Sequence, residues 1–251
     1  MIMVNRAANC VTVYEKDAAG EFTVPVKAFV CSCGREGHET PLGTFKTSNY
    51  YEWRLMVDGS YGQYAVRFNR GIMFHSVPYY TKNAGNMEWE QFNLLGEPAS
   101  LGCVRLACAD AKWIYDNCKE GTKVVVYDDA ENPGPLGKPE EMKLSEENPM
   151  RMWDPTDMSS KNPWNQVRPM LYLTGAQTSE VLMLPVGASL HDIYSAIGLV
   201  DASGRAYDIG EYIIDISGRY DLNQQGMYDV SVRGVGTHGV RTEKLMKLLV
   251  I

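Results

Sequence analysis

One cysteine and one histidine in the first half of the chain have the residue types of a nucleophile and its base. Cys103 stands between Gly102 and Val104, and His75 precedes it by 28 residues. A cysteine attacks as the thiolate, and a free thiol, with a pKa of about 8.5, needs a neighbouring base to react at neutral pH. If Gly102 and Cys103 lie in a tight turn, their backbone N–H groups would face the oxyanion formed by the attack. The pair is therefore a candidate for acyl transfer.

The spacing of these two residues also fits a purely structural role. An isolated cysteine often serves as a small buried apolar residue, and an isolated histidine as a hydrogen-bonded structural one. Metal binding is not favoured, because Cys31-Ser32-Cys33 lacks the CxxC spacing of a zinc or redox site and the four histidines are scattered along the chain. We therefore expect neither a metal nor a cofactor.

The elements that must position the pair are predicted to be mainly β-strands. Short β-rich runs between turn signals predict a meander, and Ile72–His75 is the strand that ends at the histidine. The polar and aromatic stretch 79–99 predicts a long loop between the two candidate residues, in the position of a lid. Apolar residues at helical spacing predict a helix over Ala109–Asn117, shortly after Cys103, and a buried strand follows at Lys123–Tyr127.

The second half of the chain has a different pattern. Prolines recur between Asp128 and Asn165, which predicts an extended linker. Beyond it, short β-rich runs at regular intervals predict a sandwich, with a short helix over Leu190–Ile197. The predicted strands are Met170–Leu173, Val181–Leu184, Tyr212–Ile216, Met227–Arg233 and Leu245–Ile251. We therefore divide the chain into a domain with the Cys/His pair at 1–129, a linker at 130–166 and an accessory domain at 167–251.

Composition excludes some classes of function. The formal net charge of −7 and a pI of about 5.2 argue against nucleic-acid binding, which requires a basic surface. No apolar run approaches the roughly 18 residues of a membrane span, and Met1–Arg6 does not have the pattern of a signal peptide. We expect either a cytosolic protein or an ectodomain separated from its membrane anchor.

Three motifs together resemble a known family. Thr40-Pro41-x-Gly43-x-Phe45, then Phe74-His75-Ser76, then Ser100-x-Gly102-Cys103-Val104-Arg105 resemble, in this order, the YkuD-type L,D-transpeptidase catalytic domain. The resemblance covers residues 1–127. It implies a mainly β fold, a YkuD-type β-sandwich with one short helix after the cysteine. One departure is Leu101, which occupies a position where familiar members carry a second histidine, so no second-histidine role transfers to this chain.

The resemblance implies an acyl transfer on the peptide stem of peptidoglycan. Cys103 would attack the carbonyl at the L-centre of the diamino acid, forming a thioester and releasing D-Ala, and an amine of a neighbouring stem would resolve it into a 3→3 crosslink. His75 would act as general base and then general acid, with the Ser76 carbonyl orienting its ring. The backbone N–H groups of Gly102 and Cys103 would donate hydrogen bonds to the oxyanion. Resolution by water would make the protein an L,D-carboxypeptidase, and a third hypothesis is a non-catalytic peptidoglycan-binding protein.

Four further residues are candidates for substrate binding: Arg105, Ser100, Tyr64 and Tyr79. Arg105 would either bind a stem carboxylate or brace the turn, and Ser100 would cap or orient that turn. The resemblance also implies inhibition by β-lactams of the carbapenem type. It further implies an extracellular protein of the cell envelope, with a membrane anchor outside the present chain.

The second half resembles the immunoglobulin-like modules of bacterial cell-wall proteins. The resemblance rests on the stretch 200–209, which begins Val-Asp-Ala-Ser-Gly, and on Gly226-Met227-Tyr228-Asp229-Val230. It implies an Ig-like β-sandwich that serves as a spacer or as a wall-binding element.

Overall fold

The computed structural model of the protein describes residues 1–174, 181–208, 210–236 and 239–251. The chain forms two compact units, Met1–Asn162 and Pro163–Ile251. The fold is mainly β, as predicted. None of the helices in the described residues is long and apolar enough to cross a membrane.

The first unit is described at every residue and contains nine strands and two helices. In chain order these are β1 (Ile2–Asn5), β2 (Cys10–Glu15), β3 (Val24–Val30), β4 (Gly43–Lys46), β5 (Tyr50–Leu55), β6 (Tyr61–Asn69), β7 (Ile72–Ser76), α1 (Trp89–Phe92), β8 (Val104–Leu106), α2 (Cys108–Asn117) and β9 (Lys123–Tyr127). One sheet has the order β3-β2-β1-β9-β4 and the other the order β5-β6-β7-β8. The predicted strand before the histidine and the helix after the cysteine are confirmed.

Both sheets and α2 contribute to one apolar core. Val4 of the first sheet, Phe74 and Val104 of the second, and Ile114 of α2 are all fully buried in it. Alternation of apolar and polar residues along the strands directs the apolar face of each sheet inward. Each fully buried side chain of this size contributes about 1.5–3 kcal/mol to folding, so the strands that carry the candidate residues are rigidly held.

The two strands that carry the Cys/His pair are neighbours. β7 and β8 pair in parallel, with Phe74 opposite Val104 and His75 opposite Arg105. Cys103 immediately precedes β8, so the sheet register places it level with Met73, two residues before the histidine on β7, although 28 residues of sequence separate Cys103 from His75. Parallel neighbours require a long crossover connection, and the stretch predicted as a loop, which also contains α1, provides it.

The stretch predicted as an extended linker instead packs on the first unit as irregular chain. Asn93, in the crossover connection, exchanges two hydrogen bonds with the backbone of Leu144, which is 5% exposed. Fully buried Asp154 accepts a hydrogen bond from the Cys108 N–H at 2.7 Å, and the Thr156 hydroxyl accepts one from the Ala109 N–H. The physical reason is that α2 begins after an alanine, which has no side chain to cap the helix.

The second unit contains a 3₁₀ helix (Pro163–Gln166), β10 (Met170–Leu173), β11 (Val181–Leu184), α3 (Leu190–Ser195), β12 (Ile197–Val200), β13 (Ile213–Gly218), β14 (Gly226–Val235) and β15 (Arg241–Val250). In the described residues of this unit, β10 pairs with β12, and a four-stranded sheet has the order β11-β15-β14-β13. Both sheets contribute to one core, with Ile197 and Val232 as fully buried examples. The helix ends two residues before the predicted Ile197, which instead begins β12. Ile209 and His238 lie outside the described residues.

Candidate active site

A cavity of about 270 Å³ contains both members of the candidate pair. Cys103 and His75 line it together with Arg105, and the turn between β5 and β6 forms part of its wall. In the described part of the chain, no group of three or more His, Cys, Asp or Glu side chains is arranged to hold a metal ion. The thiol of Cys103 and the imidazole of His75 are the reactive side chains that this cavity offers.

A left-handed turn at Gly102 presents the cysteine. Gly102 has φ of +114°, and a Cβ there would lie 2.9 Å from Ile72 Cδ1, so only glycine fits without displacing its neighbours. Thr40 holds the turn from the other side, because its hydroxyl donates to the Gly102 carbonyl at 2.9 Å and accepts from the Gly34 N–H. The sequence indicated Thr40 only as part of a family motif, and its contact explains why that motif belongs to the site.

Ser100 braces the same turn from within. Its hydroxyl donates to the Cys103 carbonyl at 2.5 Å and accepts from the Gly102 N–H at 3.0 Å. This second bond corrects one prediction, since the Gly102 N–H is already occupied and does not face the cavity as a free oxyanion donor. The Cys103 N–H remains the predicted donor. Ser100 is 1% exposed, so its hydroxyl orients the turn. This is one of the two roles predicted for it, to cap or to orient the turn.

His75 is held as a neutral base. Its Nδ1 lies 2.6 Å from the Ser76 carbonyl oxygen, the contact that the resemblance implied. Because a carbonyl can only accept, Nδ1 carries the proton and Nε2 keeps a lone pair. Burial of the ring, reinforced by the charge of Arg105, lowers the pKa of His75 to about 4. At pH 7 the imidazole is therefore neutral and able to accept a proton.

Glycine at position 62 allows the imidazole to lie where it does. A Cβ on Gly62 would stand 2.8 Å from His75 Nδ1 and 2.6 Å from the end of the Met56 side chain. The serine after the histidine is fixed as well, since the Ser76 hydroxyl accepts from the Gln63 N–H at 2.8 Å and donates to the Val77 carbonyl. Sequence reasoning missed Gly62, because a glycine inside a strand carries no chemical signal of its own.

The thiol of Cys103 is neutral at rest. Burial raises its pKa above the ordinary value, and a backbone hydrogen bond at Met73 and the charge of Arg105 only partly oppose this. Its Sγ lies 3.8 Å from the Gly71 carbonyl oxygen. Because the thiol is protonated and the imidazole is neutral, the thiol proton must move to the imidazole during the attack. The arrangement therefore requires general-base catalysis.

Arg105 ties β8 to the crossover connection. Its Nη1 donates to Gln91 Oε1 at 2.6 Å, and Nη2 lies 4.0 Å from Asp58 Oδ2 in the β5–β6 turn. The residue is 8% exposed. These contacts favour the bracing role over direct binding of a carboxylate, because the guanidinium already joins the crossover connection to the β5–β6 turn. Gln91 had no signal in the sequence, which indicated Asp58 only as a turn residue.

The two tyrosines predicted to bind substrate do not line the cavity. Tyr79 is fully buried and packs edge-on against Trp53, with ring centroids 5.3 Å apart. Tyr64 packs against Tyr115, and the Lys112 ammonium lies over its ring. Both rings pack against other aromatic residues, and neither is among the residues that line this cavity.

The buried imidazole should make stability depend on pH. Its pKa of about 4 lies below the ordinary 6.5, so the unfolded chain binds more protons between these values. The contribution is present above pH 6.5 and is lost as pH falls towards 4, and it amounts to about 3 kcal/mol at 1.36 kcal/mol per pKa unit. We expect chemical denaturation at pH 7 and pH 4.5 to show this loss in the native protein and not in His75→Gln. His191→Gln, at an exposed site, should keep the native dependence.

Comparison with known proteins agrees with this geometry. Residues 1–126 match the family model of the YkuD L,D-transpeptidase catalytic domain. The chain therefore belongs to the YkuD family of L,D-transpeptidases.

Relatives with this domain include a putative L,D-transpeptidase, YciB, of Bacillus subtilis. It is 43% identical over 91 residues, which are 35% of this chain and 46% of the relative. An L,D-transpeptidase structure from Mycobacterium tuberculosis H37Rv is 25% identical, covers 51% of this chain and 57% of its own, and has a TM-score of 0.40. L,D-transpeptidase 3 of M. tuberculosis, in complex with a faropenem-derived adduct, is 23% identical over 51% and 59%, with a TM-score of 0.38. The chain spans about half the length of these relatives.

Proposed function

We propose that the protein is an L,D-transpeptidase that forms 3→3 crosslinks in peptidoglycan through a thioester on Cys103. The observation that carries the proposal is the orientation of His75. Its Nδ1 is held on the Ser76 carbonyl, which leaves Nε2 as a base in the cavity that also contains the thiol. Membership of the YkuD family supports peptidoglycan stem peptides as the substrate.

The first half-reaction transfers the acyl group to sulfur. His75 Nε2 takes the thiol proton as Cys103 Sγ attacks the carbonyl at the L-centre of the diamino acid. The oxyanion of the tetrahedral intermediate accepts a hydrogen bond from the Cys103 N–H. The C–N bond to D-Ala then breaks, and the imidazolium returns the proton to the leaving amine. A low imidazolium pKa helps this step, because it makes His75 a stronger acid when charged.

The second half-reaction resolves the thioester. The side-chain amine of a neighbouring stem attacks the thioester carbonyl and loses a proton to His75 Nε2. The C–S bond breaks, and the sulfur takes back this proton to restore the thiol. The product is an amide between two diamino acids. Leu101 is 37% exposed and lines the cavity. It places an apolar side chain where familiar members carry a histidine, so His75 carries out the proton transfers of both half-reactions.

The decisive measurement is the intact mass of the protein after incubation with imipenem, a carbapenem. A β-lactam carbonyl acylates a thiolate as the stem peptide would, so we expect one covalent adduct on the native chain and none on Cys103→Ala. A matched control is Cys118→Ala, which removes a buried thiol outside the cavity and should leave the adduct unchanged. An adduct on Cys103→Ala, or none on the native chain, would contradict the assignment.

The nature of the acceptor needs a second readout. With a stem tetrapeptide and an acceptor stem, we expect release of D-Ala and a crosslinked product with the mass of the acceptor added. Release of D-Ala with a free tripeptide acid as the only product would instead indicate an L,D-carboxypeptidase, which uses the same nucleophile with water. Binding of the peptide without release of D-Ala would indicate a non-catalytic peptidoglycan-binding protein.

We also propose where the protein acts and what its second unit is. Peptidoglycan stems lie outside the cell membrane, so the proposed reaction supports an extracellular, envelope-facing protein. The second unit is proposed as an immunoglobulin-like module that spaces or binds the wall. Support for this comes from two sheets that share one core and from the parallel pairing of β11 with β15.

A further inference from the structure

We infer that Arg54 and Arg67, both in contact with the ring of Tyr51, form a subsite for a carboxylate of the donor stem peptide. This inference rests on the proposed function, because it assigns one chemical group of that substrate to a place in the cavity. Both arginines line the cavity that contains Cys103 and His75. The guanidinium carbons lie 5.0 Å (Arg54) and 5.8 Å (Arg67) from the Tyr51 ring centroid.

The two arginines are joined to the catalytic groups through neighbouring strands. Arg54 in β5 is paired with Gly62 of β6, the glycine that lies against the His75 ring. Arg67 in β6 is paired with Met73 of β7, whose backbone contacts the Cys103 thiol. One strand therefore lies between each arginine and one member of the catalytic pair. A substrate group bound to them is held close to the reacting carbonyl.

Neither arginine is neutralised by the protein. Among the residues that the structure describes, no carboxylate forms an ion pair with Arg54 or Arg67, and the buried Nε of Arg67 has no hydrogen-bond partner. Asp58, the carboxylate of the cavity wall, instead accepts from its own neighbour Ser60 and faces Arg105. Arg54 is exposed and Arg67 is half-buried. A half-buried guanidinium without an anion is costly, so the subsite is complete only when a ligand supplies the negative charge that Arg67 lacks.

The chemistry of the subsite selects a carboxylate. A guanidinium presents planar N–H donors that match the two oxygens of a carboxylate, and contact with an aromatic ring holds that plane in place. Two carboxylates of the donor stem are the candidates tested. One belongs to the terminal D-Ala and the other to the D-centre of the diamino acid. Amidation of the correct one removes its charge with little change in size, which makes the proposal testable.

The test measures peptide binding by calorimetry to the full chain carrying Cys103→Ala, so that no turnover occurs. Three synthetic tetrapeptides are compared: one with both carboxylates free, one amidated at the diamino acid and one amidated at the terminal D-Ala. We expect one of the two amidations to raise Kd by about tenfold or more, since hydrogen bonds between charged groups contribute that much. The amidation that does so identifies the carboxylate that is bound.

Variants then locate the effect. In the same background Arg67→Gln and Arg54→Gln should bind the free and amidated peptides with nearly equal Kd, and Arg67→Lys should retain part of the difference. The matched control is Arg205→Gln, which removes an arginine over the Tyr207 ring in the second unit and should keep the full difference. Near-ultraviolet circular dichroism checks that each variant is folded. If one arginine variant fails to fold, the other and Arg67→Lys still locate the effect.

Two results would overturn the subsite. Equal Kd values for all three peptides, or no binding of any of them, would show that no carboxylate is recognised. A difference that persists in Arg67→Gln and Arg54→Gln would place the recognition elsewhere. Failure of the proposed function gives a separate result, because the native chain would then form no adduct with imipenem while the effect of amidation on binding to Cys103→Ala would remain.

Discussion

Replacing His75 with glutamine should slow the acylation of Cys103 by roughly 10²–10⁴-fold at neutral pH. Partial burial of the thiol raises its pKa, so very little of it is thiolate without a base. Glutamine keeps a polar side chain of similar length but cannot accept the proton. The rate is measured as the growth of the covalent adduct with imipenem in a time course of intact-mass spectra.

The pH profile separates loss of the base from general damage to the site. In native protein the rate should be level above the histidine pKa of about 4, because the base is neutral throughout this range. In His75→Gln it should rise about tenfold per pH unit, since only the thiolate then reacts. The control is His38→Gln, an exposed histidine of the same unit, which should stay within about twofold of native. A slow His38→Gln with a normal His75→Gln would reverse the assignment.

Replacing Asp154 with alanine should destabilise the first unit by about 2–3 kcal/mol. Its carboxylate accepts from the Cys108 N–H and from both the N–H and the hydroxyl of Thr156, and it is fully buried. Alanine would leave these donors without an acceptor at the positive end of α2. Differential scanning calorimetry should show a melting temperature lower by roughly 5–10 °C.

A carboxylate at the other end of the same helix is the control for this prediction. Asp116 pairs with Lys112 on the surface at 2.5 Å, and Asp116→Ala should cost less than about 0.5 kcal/mol. Similar small losses in both variants would mean that residues after 127 do not support the helix, and that the first unit ends where the sequence suggested.

Local patterns predicted the strands and the site motifs but not the contacts between them. Alternation of apolar and polar residues predicted the strand before His75, and Gly102 indicated the turn that the structure contains. The parallel pairing of β7 with β8 could not be read from either strand, because register depends on packing between distant segments. The Ser100 hydroxyl bond to the Gly102 N–H was equally hidden, since nothing in the residue order says which acceptor a turn amide finds.

The errors share a physical cause. The segment before Asn162 was assigned to a linker because prolines interrupt any apolar period, yet it is attached through isolated groups such as Leu144 and Asp154 that periodicity cannot detect. Tyr79 was a candidate for substrate binding, whereas its ring is fully buried and packs on Trp53. Arg54 and Arg67 belong to no sequence motif, and their proposed role depends on the cavity that they line together.

The parallel register of β7 and β8 also has a consequence for divergence within the family. Because the sheet sets the separation of His75 and Cys103, an insertion or a deletion can change the length of the crossover between them without moving either residue. In this chain, however, the crossover is anchored to the later segment: Asn93 to Leu144, and the Gly96 carbonyl to the Lys138 ammonium. A chimera that takes the crossover from a relative should therefore also take that relative's counterpart of residues 138–157, since the two segments form one exchangeable module.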